Sequence, residues 1–164
     1  MENRFTDNGN GTVQDNLTKL VWKKEDSFQE FKRFITYRQA NKYIEKLNEE
    51  SFAGWDDWRL PSREEAHSLY IQDKSQKVLD KYEMELFIDQ VFPAGCGWDT
   101  WTSNKRGKIT AYTYAFSSGT GGHKDVDDNL NSSLRPVRGT ADEAVLKSFG
   151  KIKPRKGMFV SDQR

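Results

Sequence analysis

The oxygen-bearing side chains best placed to hold an ion crowd one short stretch: Asp125, Asp127, Asp128, Asn129 and Asn131. Hard oxygen donors at near-alternating positions are what Ca²⁺ takes, and carboxylates this close need a cation to offset their repulsion. Asp125, Asp127, Asp128 and Asn131 form the candidate metal set. The stretch lacks the glycine and closing glutamate of an EF-hand loop, so a polar surface loop without a cofactor is the plainer reading and calcium the alternative. Asp7, Asn10 and Asp15 also flank glycines, but there a hairpin turn accounts for the residue types without a metal.

Candidates for covalent or acid–base chemistry are few. Cys96, the one cysteine, lies between Gly95 and Gly97 with no adjacent His or Lys to lower its pKa; a bystander thiol, even an exposed one, is expected. The two histidines are His67, read as a helix-surface or boundary residue, and His123, in a glycine loop. The run Gly119-x-Gly121-Gly122-His123-Lys124 lacks the Ser/Thr and the capped helix of a phosphate loop, so it reads as a hairpin connection. Trp98 is the surface candidate, because an exposed indole stacks on sugars and anchors protein partners alike. Trp98, His123, Lys124, Asp125, Asp127 and Asn129 are the candidate ligand-binding residues. Arg59 and Arg138 are expected to be structural, forking onto carboxylates or carbonyls.

The elements that must position these groups are legible from caps and turns. Asn8-Gly9 predicts a hairpin between Phe5 and Val13, since type I′ turns need positive φ, and Leu17 to Trp22 adds an apolar run. Phe28, Phe31 and Phe34 are spaced for a short helix or a plugging loop. Thr36-x-x-Gln39 is a capping box opening a helix whose apolar face is Tyr37, Ala40, Tyr43, Ile44 and Leu47. Trp58-Arg59-Leu60-Pro61 runs into a second box, Ser62-x-x-Glu65, and a helix to about Ile71 burying Ala66, Leu69 and Tyr70. Residues 72–85 are predicted as a polar helical insertion carrying Val78, Leu79 and Tyr82. Strands are expected at Trp101–Ser103, Ile109–Phe116 and Ser133–Arg138, with a flexible turn over Ser117–Gly122. After Thr140 the pattern fades into one helical stretch, Ala141–Phe149, and a basic tail.

At 164 residues the chain fits one domain with an extension. It is 35% hydrophobic yet 13% aromatic, a composition that suits a loop-rich fold built on large rings better than a helical bundle. With 26 basic against 25 acidic residues and a net charge of +1, no global field draws nucleic acid or a membrane surface. A lone cysteine forbids an intrachain disulfide, and no apolar window or leader is evident, so a cytoplasmic address is expected, with a secreted or surface-exposed one if the chain is a mature fragment.

Taken in order, Arg4-Phe5-Thr6-Asp7-Asn8-Gly9-Asn10-Gly11-Thr12-Val13-Gln14-Asp15-Asn16-Leu17-Thr18, then Leu20-Val21-Trp22, Tyr37–Leu47, Gly54–Pro61, Phe92-Pro93, Trp101-Thr102-Ser103, Ala111–Gly119 and Val137-Arg138-Gly139 resemble the family named after the C-terminal domain of the Legionella collagen-like protein. The match spans roughly residues 4–139. The resemblance implies an α+β, C-type-lectin-like fold, akin to formylglycine-generating-enzyme domains: a hairpin pairing the chain ends, two main helices, a small twisted antiparallel sheet and long loops. It implies a domain over 1–139, with the insertion near 72–85 and a C-terminal basic extension over 140–164 outside the usual pattern. Pro136 stands where the family often has cysteine. The related formylglycine-generating enzymes use a cysteine pair, so a lone thiol and two histidines argue against their oxidase chemistry here. The expectation is therefore a non-enzymatic recognition module binding a protein partner through 95–106 and 117–132, within an intracellular bacterial assembly. Calcium-assisted carbohydrate binding is the first alternative, and a relative of the formylglycine-generating oxidases the second, less favoured one.

Overall fold

Three helices begin with the same device. In the computed structural model, which describes residues 3–155, Thr36 and Ser62 each accept from the amide three residues on, at 3.1 Å in both cases, while Gln39 and Glu65 reach back to the cap amide. These boxes open α2 (Tyr37–Glu49) and α3 (Arg63–Leu69). A third box, Asp26 with Gln29, opens α1 (Ser27–Phe31) and settles the aromatic stretch around Phe28 as a short helix. Each box satisfies two amides that a helix end otherwise leaves without partners.

The N-terminal strands β1 (Phe5–Asp7), β2 (Thr12–Asp15) and β3 (Val21–Lys23) form an antiparallel meander turning at Asn8–Gly11. β9 (Val137–Arg138) closes that sheet against β3, giving the order β1-β2-β3-β9, so the start of the domain pairs with its end. A second sheet has the order β10-β8-β7-β6, from β6 (Asp99–Arg106), β7 (Thr110–Ala115), β8 (Thr120–Asp125) and β10 (Lys153–Pro154). The architecture is α+β, with helices and mainly antiparallel sheets.

Four expectations need correction. Residues 72–85 are no helix: β4 (Val78–Leu79) and β5 (Glu85–Leu86) make a hairpin. Buried Asp80 fixes its turn, accepting the Tyr82 and Met84 amides at 2.7 and 2.9 Å. Ser117–Gly122 is only partly a turn, because Gly121 and Gly122 lie within β8. Gly119 alone makes the sharp bend, at φ 70°, where a Cβ would meet the Tyr70 ring at 2.5 Å. The final strand of the matched region shrinks from Ser133–Arg138 to Val137–Arg138. The extension is built rather than frayed up to residue 155. α4 (Glu143–Lys147) is followed by β10, which pairs in parallel with β8. The rest of the basic tail lies outside the described residues.

Two apolar clusters carry the fold. One joins Trp22, Leu69, Phe92, Tyr114, Phe116 and Val137; the other joins Ala40, Tyr43, Leu47, Trp58, Trp101 and Leu134. Each large apolar side chain so buried contributes roughly 1.5–3 kcal/mol. Trp101, fully buried, also donates from its indole to the Ile35 carbonyl at 3.0 Å. Arg59 and Arg138 take structural roles. Arg59 forks onto Glu65, both contacts 2.7 Å, and caps the Gly139 carbonyl; Arg138 grips Asp57 at 2.7 and 2.9 Å.

Candidate functional site

The acidic stretch is a tight turn leaving β8, and its side chains are engaged by that turn. Asp125 Oδ1 accepts the Asp127 amide at 2.8 Å, and Asp128 Oδ1 accepts the Leu130 amide at 2.7 Å. Asp127 bonds Arg38 of α2 at 2.8 Å, Asn129 is exposed, and Asn131 Oδ1 accepts the Tyr82 hydroxyl at 3.0 Å. Among the described residues no group of three or more His, Cys, Asp or Glu side chains is arranged to hold a metal.

The remaining candidates do not share one surface. Strand alternation sends neighbours to opposite faces. His123 lies beside Tyr112 with Arg106 2.6 Å from its Nε2, whereas Lys124 turns to Asp99 at 3.2 Å. Lys124 also donates to the Leu130 carbonyl at 2.9 Å and to Ser132 Oγ at 2.8 Å, so it ties the acidic turn to β6. Burial pushes the Asp99 carboxyl up against the opposing pull of Lys124 and Arg155. Trp98 is half-buried, with Lys124 Nζ 5.5 Å and Arg155 Cζ 5.0 Å from its ring centroid. Its ring carries cations where an open stacking face had been expected.

What the residue-type reading missed is the hairpin tip. Tyr82 is 52% exposed, Met84 54% and Leu130 70%, with Leu79, opposite Glu85 in the hairpin, also exposed. Tyr82 stacks on Phe34 at 6.4 Å and reaches Asn131, so the tip bridges the linker after α1 and the acidic turn. Lys81 lies 4.6 Å from the Phe28 centroid and 4.7 Å from that of Tyr82, pinning the cluster by cation–π contact. Below it, backbone bonds from Lys81 to Cys96 and from Gly95 to Leu79, each 2.8 Å, stitch the hairpin to the 93–97 loop. Asp26 and Gln29 hold that loop from α1, Asp26 Oδ2 accepting the Gly97 amide at 2.8 Å and Gln29 donating to the Pro93 and Ala94 carbonyls. Only the unusual density of Leu79, Tyr82 and Met84 in a polar segment hinted at this in the sequence.

The sequence model of the Lcl C-terminal domain matches residues 11–138. The chain belongs to that family. No curated protein matches it. The matched span contains both sheets except β1 and β10, together with the tip hairpin and the acidic turn. The extension lies outside the Lcl match yet packs on it. Phe149 places its ring 5.0 Å from the Arg4 guanidinium carbon and its carbonyl 3.1 Å from His67 Nε2.

Within this Lcl domain the two residues with the most reactive chemistry are sequestered. Cys96 is fully buried, not exposed between its glycines, and burial pushes its thiol up to about 12. A thiol at that value carries almost no thiolate near neutrality. His67 is buried too, not on the helix surface: Nδ1 is 2.7 Å from the Tyr114 hydroxyl. A carbonyl only accepts, so Nε2 holds the proton toward Phe149 and Nδ1 accepts from Tyr114. Burial moves its pKa down, favouring this neutral form. No helix among the described residues is long and apolar enough to cross a membrane.

Proposed function

We propose that this Lcl domain is a non-enzymatic recognition module that binds a protein partner through the tip hairpin and the acidic turn. The observation that carries the reading is the exposure of Tyr82, Met84 and Leu130 on a mount that is itself buried and hydrogen-bonded. A tyrosine and a methionine presented rigidly, rimmed by polar side chains, are the side chains that protein interfaces enrich. A held loop also loses less freedom on binding than a loose one. The pairing of β3 with β9, which joins the start of the domain to its end, and the long segments between strands support a C-type-lectin-like arrangement. The buried single thiol and the absence of any possible intrachain disulfide suit a cytoplasmic setting. Sugar binding would call for an open aromatic face, and Trp98 has cations against its ring.

The test is capture from a lysate of the native host with the full chain as bait, alongside a Tyr82→Ser/Met84→Ser/Leu130→Ser variant. The wild type retains specific proteins that the variant loses, while both melt alike. Equal capture by both proteins sinks the reading.

A further inference from the structure

Beside the tip, on the other side of the linker that follows α1, runs a groove of about 570 Å³ between α1 and α2. Its floor is apolar, from Phe31, Ile35 and Tyr43. Its rim is basic: Arg33 from the linker and Arg38, Lys42 and Lys46 from α2. The three α2 cations recur every four residues and so stand in one row along the helix. Arg33 and Lys46 lie 5.5 and 5.9 Å from the Phe31 centroid, the two cations converging on one ring. No carboxylate is among the lining residues. Beside the groove, Glu30 is held by Lys23 at 2.9 Å and by the Tyr43 hydroxyl, and Asp127 already pairs with Arg38 of the rim at 2.8 Å. Among the described residues Arg33, Lys42 and Lys46 make no ion pair.

We propose that this groove receives an acidic segment of the protein partner, with an apolar side chain seated over Phe31 and Tyr43 and carboxylates against Arg33, Lys42 and Lys46. The inference rests on the recognition reading above and names the chemistry of what is recognised. Charge complementarity selects the sign of the ligand, and the apolar floor selects a polypeptide over a bare polyanion. The volume matches sites that enclose a few side chains rather than a whole helix. A chain of net charge +1 has no broad field to gather nucleic acid, so a local basic row favours a short acidic stretch. The linker joins the two surfaces: Phe34 stacks on Tyr82 at the tip while Arg33 and Ile35 line the groove. One partner crossing that linker touches both.

The probe is a short fluorescein-labelled peptide of Glu and Asp residues around two leucines, titrated against the full chain by anisotropy at low and at physiological salt. Expected are saturable binding that weakens with salt, a loss of about tenfold or more in Lys42→Glu/Lys46→Glu, and no change in Lys151→Glu on a distant surface. Lys42→Gln/Lys46→Gln, which keeps helix-compatible side chains, shows a smaller loss in the same direction and serves if the charge reversal fails to fold. A peptide with its leucines replaced by serine binds more weakly. Equal affinity for wild type and both lysine variants overturns the proposal, as does no binding to the wild type. Heparin or single-stranded DNA binding as well as the leucine peptide, with the serine peptide undiminished, replaces it with a polyanion site. Absent peptide binding alongside partner loss in the tip variant removes the groove alone. Peptide binding alongside unchanged capture by the tip variant removes the tip instead.

Discussion

The packed body of the domain and its hairpin tip distribute most of their polar and apolar groups in opposite ways. In the body, charge goes inward. Arg135 is only 2% exposed, donates to the Lys23 and Lys24 carbonyls and lies 4.7 Å from the Phe92 centroid. Asp15 is buried under the Arg4 fork, and Glu65 under that of Arg59. At the tip, apolar groups go outward, and the buried acid beneath them, Asp80, holds a turn. Buried charge costs desolvation and is tolerated only where it is paired; it fixes irregular backbone that no regular ladder holds. Exposed apolar surface has no such structural return. The inversion therefore separates what holds the molecule together from what the molecule offers to others.

The largest effect comes from breaking the body's side of that contrast. Glu65 accepts from the Ser62 amide at 2.8 Å and from both Arg59 nitrogens at 2.7 Å, so one carboxylate caps α3 and anchors the β9 end through Arg59. Burial works to raise its pKa, but the Arg59 fork and the Ser62 amide outweigh that and hold it below the ordinary value of 4.5. Glu65→Ala removes a helix cap and leaves a half-buried guanidinium unpaired. Allowing for the solvent that reaches Arg59, the expected loss is about 3 kcal/mol, or roughly 6–12 °C in a thermal melt. The tip variant Tyr82→Ser/Met84→Ser/Leu130→Ser should stay within about 0.5 kcal/mol per site, as exposed positions do. A melt in which the tip variant falls as far as Glu65→Ala would erase the distinction between the two regions.

A smaller effect sharpens it, through the contact between body and extension. His67 is neutral in the fold with a lowered pKa, while in the unfolded chain it titrates near its ordinary 6.5. The unfolded state then binds more protons than the folded one as pH falls through that value. Stability is complete above about 6.5 and declines below it, by up to about 1.4 kcal/mol per pH unit while the folded imidazole stays neutral. Buried Asp26 and Asp99 have raised pKa values, chiefly from desolvation, and contribute with the opposite sign. They are common to wild type and His67→Gln, so the difference between the two proteins isolates the histidine. Urea unfolding at pH 7.5 and 5.5 should show the wild type losing more stability than the variant. Parallel losses would mean that burial does not hold His67 neutral in the fold.

What the sequence made legible follows the range of the interactions. The Thr36–Gln39 and Ser62–Glu65 boxes and the Asn8-Gly9 turn close within four residues, so residue types alone announce them. His67 looked like a surface residue because its acceptor, Phe149, lies 82 residues on. Residues 72–85 looked helical because two-residue strands leave no alternation to read, and their register depends on Asp80 and the Cys96 loop. Gly121 and Gly122 read as turn formers, yet Gly121 lies in β8 where a Cβ would come within 3.1 Å of Ile152 from the extension and 3.4 Å of Arg63. The candidate residues His123, Lys124, Asp125, Asp127 and Asn129 are close in sequence, with Trp98 well upstream, but alternation along β8 sends His123 to one face and Lys124 to the other.

The smallest expected effect concerns the acidic turn, where body and tip meet. Asp125, Asp127, Asp128 and Asn131 already accept from the Asp127 and Leu130 amides, the Arg38 guanidinium and the Tyr82 hydroxyl. Two of these bonds define the turn itself, and among the described residues no group of three or more His, Cys, Asp or Glu side chains is arranged to hold a metal. Calcium at about a hundred times its dissociation constant would stabilise the fold by about 2.7 kcal/mol, a rise of several degrees. Millimolar calcium should therefore leave the melting temperature where it stands in a chelator. A rise of several degrees that vanishes in Asp125→Asn/Asp128→Asn would assign the turn to ion binding and move it from the tip's mount to a site in its own right.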